Sequence, residues 1–337
     1  MAFAVRSQVH PAAAGLDART YLLEDAAGNR AEVWPALGFN CFRWQAPRGG
    51  QTLDLLYDDP NLFSDGRPTR SGIPILFPFP NRLRDGRFTW DGKEYQLPLN
   101  DNPPRNAIHG FVCRRAWRVV DHGATENAAW ITGEFHGLVD APDCRNLWPA
   151  DYNLRVTYRL GAGLLRIEAE VTNPDTVSLP FGLGYHPYFR VPFSPTGKAD
   201  DFTVQVPAGS YWQLSELLPT GTRLPVDAAR DLNRPRRFGD LSLDDVLTDL
   251  PTQAPGENGL LERALLQDDS GAELRMFCSP AFREMVVFTP ANRQAFCVEP
   301  YTCPTDAINL QARGIETGWQ TMPPGGRWSA VVELRVG

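Results

Sequence analysis

The stretch "YNLRVTYRLGAGLLRIEAEVT", residues 152–172, decides the fold class. In its first half Tyr152, Leu154, Val156, Tyr158 and Leu160 alternate with Asn153, Arg155, Thr157 and Arg159. Successive side chains of an extended chain point to opposite faces, so this order sorts apolar from polar residues onto two sides of a strand. "GAG" follows, and the alternation resumes through Leu165, Ile167, Ala169 and Val171. Strand, glycine-rich turn, strand is a hairpin with one buried face.

The same pattern recurs along the chain. "RFTWDGKEYQL" (87–97) predicts a second hairpin, because Asp91-Gly92 tolerates the positive φ of a tight turn. "ELRMFC" (273–278), "EMVVFT" (284–289), "QAFCVEP" (294–300) and "WSAVVELRV" (328–336) read as further strands. Helical patterning is rare: "SYWQLSELL" (210–218), stopped by Pro219, is the best candidate for a helix. With 30 prolines and 29 glycines among 337 residues, long helices are not expected. No repeat or linker divides the chain. The expectation is one all-β domain over residues 1–337, built from packed sheets.

Composition narrows the function. The 33 basic and 40 acidic residues leave a net charge of −7, which argues against nucleic acid as a partner. Short basic pieces such as "RPRRF" (234–238) read as solvated surface. The first twenty residues lack a basic flank followed by an apolar run, so no signal peptide is read, and no stretch has the apolar length of a membrane span. The six cysteines (41, 113, 144, 278, 297 and 303) form no C-x-x-C pair. Reduced thiols in a cytoplasmic protein fit that pattern.

Four segments carry candidate chemistry. In "GIPILFPFPNRLRDGRF" (72–88), Asn81 and Arg82 follow a rigid, proline-fixed run. Arg82 is either a fork of donors for ligand oxygens or a surface arginine. In "NAIHGFV" (106–112), His109 precedes a glycine that permits close backbone approach. In "GLGYHPYFRVP" (182–192), His186 lies among Tyr185, Tyr188 and Phe189, as a core histidine or as a proton donor in an apolar wall. In "FCVEPYTCPTDAINL" (296–310), Glu299 ends an apolar strand, where a carboxylate must be paired or functional. A metal site of His109, His186 and Glu299 lacks the short-range spacings that would support it. No P-loop, nucleophile elbow or dinucleotide fingerprint is present.

With these segments in order, together with "GKEYQLPLN" (92–100), "LLPTG" (217–221) and "SLDDVLT" (242–248), the chain resembles the aldose 1-epimerase (galactose mutarotase) family over most of its length. The resemblance implies a β-supersandwich with a concave site for a free aldose, no cofactor and no membrane, as a monomer or homodimer. It implies Glu299 as general base, His186 as general acid, His109 as a second histidine of the site, and Arg82 with neighbouring Asn81 as contacts to sugar hydroxyls. Asp244 is implied as the acidic hydroxyl partner, although Asp245 beside it leaves the register open by one residue. The segment Thr222–Arg236 departs most from the family pattern. In the expected chemistry, ionised Glu299 and protonated His186 open the hemiacetal ring together. Two other readings stay open: a hexose-6-phosphate 1-epimerase using Arg84, Arg114 and Arg115, and a non-catalytic carbohydrate-binding domain.

Overall fold

The structure is a computed structural model that describes residues 2–252, 256 and 258–337. Residues 152–172 form the expected hairpin. Strand Asn153–Gly161 pairs along its length with strand Leu164–Thr172, setting Leu154 opposite Val171, Val156 opposite Ala169 and Tyr158 opposite Ile167. All six side chains are buried. The last strand, Arg327–Val336, adds antiparallel to Leu164–Thr172, so the chain's end lies in the middle of a nine-stranded sheet.

An eight-stranded antiparallel sheet and a five-stranded sheet of residues 3–54 complete the large layers. The fold is all-β as expected. Among the described residues the longest α-helix is Ala307–Ala312, and no helix is long and apolar enough to cross a membrane. All six cysteines are buried and unpaired.

The predicted helix at 210–218 is a correction. Ser210–Ser215 is a strand paired with strand Leu218–Pro225, and Glu216 and Leu217 turn the chain with φ of 50° and 65°. Two residues of positive φ make a tight hairpin turn whose twist suits the flanking strands. Neither is glycine, asparagine or aspartate, so the usual turn signal is missing. Trp212 is buried beside an exposed Gln213, the alternation of a strand.

The eight-stranded sheet positions the site. Strand Ala295–Tyr301 lies at its middle, between strand Glu284–Phe288 and the pieces Gly184–Tyr185 and Tyr188–Arg190. On one face of this sheet Leu247, Met285, Val287, Phe296 and Val298 enter the main core. On the other, Val246, Val286 and Tyr301 join a separate cluster with Leu76, Cys113, Trp212 and Leu310.

Candidate functional site

Register determines which side chains meet. Glu299 pairs with Val286, which pairs with Val246; Cys297 pairs with Phe288, which pairs with Asp244. Residues directly opposite one another share a face, and i and i+2 do as well. Asp244, Phe288, Cys297, Glu299 and Tyr301 therefore all look away from the main core. Of the two adjacent aspartates, register sets Asp244 on the face of Glu299. Asp245 faces the other way and accepts from Arg230 Nε at 2.7 Å.

The proline-rich segment supplies the opposite wall. Residues Arg82–Leu83 pair with Ala107–Ile108, His109 N–H donates to the Asn81 carbonyl at 2.8 Å, and Phe111 N–H donates to the Phe77 carbonyl at 2.8 Å. Asn81 and His109 both have positive φ, 55° and 67°, a conformation that Asn and His adopt more readily than most side chains. A Cβ on Gly110 would lie 2.1 Å from the Phe77 carbonyl oxygen, so only glycine lets the two segments lie this close. His186 is fixed by its main-chain N–H, which donates to the Pro74 carbonyl at 3.0 Å.

These elements bring four of the other sequence-named residues, His186, His109, Arg82 and Asp244, around the buried carboxyl of Glu299. His186 Nε2 lies 3.4 Å from Glu299 Oε1. The His109 and His186 rings meet edge to face with centroids 5.6 Å apart. Arg82 is close enough to act electrostatically on Glu299, Asp244 and His109, and Asp101 stands 3.8 Å from its Nε. Asn81 stands apart in role: its side-chain oxygen accepts from Arg82 N–H at 2.9 Å and from Arg82 Nη1 at 3.2 Å, so it orients the arginine.

Sequence reasoning missed Tyr301 and Phe288, whereas Tyr188 was expected in the aromatic wall around His186. Tyr301 donates its hydroxyl hydrogen to Glu299 Oε2 at 2.5 Å. Tyr188 stacks on His186 with centroids 4.6 Å apart, and Phe288 stands edge-on to the same ring. The alternation that made 295–301 a strand could have found Tyr301, two residues beyond Glu299. Of the aromatic wall expected around His186, Tyr188 alone stacks on it; Tyr185 packs on Phe282, and Phe189 lies in the main core.

Burial dominates the electrostatics. It pushes His186 down to about 3 and holds His109 well below the usual imidazole value, where the fields of His186, Arg82 and Arg114 add to the effect. Burial also drives Glu299 well above the ordinary carboxyl range, against the pull of the Tyr301 hydrogen bond and Arg82. Asp244, at the open mouth, is raised by desolvation and lowered by Arg82. The expected charges on Glu299 and His186 are thus not those that the sugar-free site favours. Desolvation disfavours both ions and so favours the carboxylic acid and neutral imidazole over the ion pair. The two forms differ only in the position of one proton.

A second buried carboxyl lies behind the site. Glu284, opposite Tyr301 on the neighbouring strand, accepts from Trp212 Nε1 at 3.1 Å, and burial pushes it up to about 8. Unfolded, it would ionise near the ordinary glutamate value of about 4.3. Between those values the folded chain holds a proton that the unfolded chain has lost, so stability falls as pH rises through this window and levels off above about 8. Glu284→Gln keeps an acceptor for Trp212 and removes the titration. The variant should gain on the parent between about pH 5 and about pH 9, by on the order of a few kcal/mol, in urea unfolding. An unchanged gap across that range would refute the assignment.

Comparison with known proteins agrees with this architecture. The profile of the family described as Aldose 1-epimerase matches residues 19–335. The uncharacterized protein YihR of Escherichia coli (strain K12) is 26% identical over 240 residues, 70% of this chain and 71% of that protein. Galactose mutarotase of Rattus norvegicus is 33% identical over 161 residues, 47% of this chain and 44% of its own length. A crystal structure of a galactose mutarotase-like protein from Clostridium acetobutylicum superposes with a TM-score of 0.85 at 22% identity, covering 100% of this chain and 99% of that one. The match runs nearly from end to end and includes every segment that builds the pocket: the chain belongs to the aldose 1-epimerase family.

Proposed function

We propose that the chain interconverts the α and β anomers of a free aldose by opening and reclosing the hemiacetal ring. The observation that carries this reading is the approach of His186 Nε2 to Glu299 Oε1, 3.4 Å apart, with Arg82 and Asp244 near enough to act on the carboxyl. Ring opening requires one proton to leave the C1 hydroxyl and another to reach the ring oxygen. Both oxygens sit on C1, so a base and an acid held this near one another can reach both.

The pair holds one exchangeable proton. When it resides on His186, the Glu299 carboxylate takes the C1 hydroxyl proton as His186 gives its own to the ring oxygen. The aldehyde rotates about C1–C2, and the reverse transfers close the ring on its other face. The Tyr301 hydroxyl and Arg82 favour the carboxylate form, and the bound C1 hydroxyl adds a further hydrogen bond to it. Arg82 and Asp244 hold the spectator hydroxyls, and His109 is a third polar group along the wall.

One observation bears on the phosphorylated-sugar alternative. Arg115 is bound in two-pronged fashion by Asp143, and Arg84 faces Asp306 at 3.7 Å. Among the described residues only Arg114 of the three candidate cations lacks a carboxylate partner, whereas a phosphate dianion calls for several donors. Polarimetry on freshly dissolved α-galactose, α-glucose and glucose 6-phosphate tests the reading. The free hexoses should equilibrate faster with the protein, and the phosphate ester should gain little. No acceleration with any of them would leave a binding domain instead.

A further inference from the structure

One group at this pocket has no part in the proton transfers above: the thiol of Cys297. It precedes Glu299 by two residues, so it shares the carboxyl's face of the strand. Its cross-strand neighbours are Tyr188 on one side and Phe288 on the other. Those rings are the two that pack on His186. The thiol is therefore set beneath the imidazole, alongside the carboxyl. One ligand atom each from His186, Cys297 and Glu299 lie within 4.8 Å of one another.

Donors around a four-coordinate zinc ion, at about 2.0–2.3 Å from the metal, stand roughly 3.3–3.8 Å apart. The His186–Glu299 separation of 3.4 Å already meets that spacing. The sulfur needs to close by about 1 Å at most, within reach of a side-chain rotation. Imidazole nitrogen, thiolate sulfur and carboxylate oxygen form a mixed set that suits a borderline-soft cation and disfavours Mg²⁺ or Ca²⁺. Three protein donors leave the fourth position open toward the sugar. In addition, His109, whose ring meets that of His186 edge to face, has a buried Nδ1 with no hydrogen-bond partner.

We propose that His186, Cys297 and Glu299 form a site for a thiophilic divalent cation, represented by Zn²⁺, and that the ion and the sugar exclude one another. Binding displaces the thiol proton and the single proton shared by the histidine–glutamate pair, and no oxidation or reduction occurs. The bound ion takes the imidazole lone pair and the carboxylate on which ring opening depends. Zinc is thus an inhibitor competitive with sugar. The inhibition half of this inference rests on the mutarotase reading; the binding half does not.

The test uses the full chain freed of metal. In competition with a chromophoric chelator, one equivalent of Zn²⁺ should bind, and Cys297→Ser should weaken that binding at least about ten-fold. Metal-free mutarotation of Cys297→Ser should stay within a few-fold of the parent. Zinc should slow the parent, with reversal by EDTA and relief by excess galactose, and Mg²⁺ should have no effect. Cobalt(II) bound to the unmodified chain should show thiolate charge-transfer absorption, a readout that needs no variant to fold. Absence of that band, or equal zinc binding by parent and Cys297→Ser, overturns the proposal. Cysteine-dependent zinc binding by a chain that does not accelerate mutarotation would leave the metal site standing and remove the function proposed above.

Discussion

Glu299→Gln should slow mutarotation by about 10²–10⁴-fold, the range for loss of a positioned acid or base, with galactose affinity within a few-fold. The substitution preserves size and hydrogen-bonding capacity. Tyr301 can still donate to the side-chain oxygen, and Arg82 keeps its neighbours. What disappears is the ability to accept the C1 hydroxyl proton. His186→Asn should lose a similar factor, and the double variant little more than the worse single one, because the pair acts on one shared proton. The pH profile separates this account from independent titration of an ordinary histidine. With His186 pushed down to about 3 and Glu299 raised well above the ordinary carboxyl range by burial, the two titrate as a pair that shares one proton. The parent rate should be flat through about pH 6.5, where a free imidazole titrates. A near-parental rate for Glu299→Gln, or a tenfold inflection centred near that pH, would refute the shared-proton scheme.

The second large effect concerns the backbone. Gly110→Ala should destabilise the chain by about 3 kcal/mol or more and abolish most activity, since positive-φ strain adds to an overlap that no side-chain movement relieves. The new methyl would meet the Phe77 carbonyl oxygen at 2.1 Å, with φ at 65°. Relief requires the 107–111 and 75–83 segments to part, and those segments carry His109 and Arg82. Gly92→Ala is the control. Gly92 also has positive φ, 76°, but a Cβ added there would meet nothing within 4 Å. Its cost should be the left-handed strain alone, about 1–2 kcal/mol, with activity retained. Denaturant unfolding and polarimetry on both variants read the difference; equal losses would show that the close approach at Gly110 is unimportant.

The fold was legible wherever burial follows a period of two. Residues 152–172 and 87–97 form their hairpins because each alternating residue chooses one side of a sheet. The failure at 210–218 has a local cause: Glu216 and Leu217 make a tight turn without the residue types that announce one. Arg82, His109, His186 and Glu299 stood out singly from their neighbours in sequence, but their grouping, and Asp244, were legible only through the family resemblance, because no local spacing relates them. Tyr301 could have been read from alternation beside Glu299. Whether Asp244 or Asp245 faces the pocket depended on cross-strand register, which sequence does not display. The pull of burial on Glu299 and His186 in the sugar-free chain was not legible for a similar reason: desolvation is a property of the packed wall, and Tyr188, Phe288 and Cys297 meet there only after folding.

The Ala295–Tyr301 strand is committed on both sides, with Phe296 and Val298 in the main core and Cys297, Glu299 and Tyr301 at the pocket. Such a segment has few silent positions for mutational drift: a change at Phe296 or Val298 is felt as lost stability, and one at Glu299 or Tyr301 as an altered site.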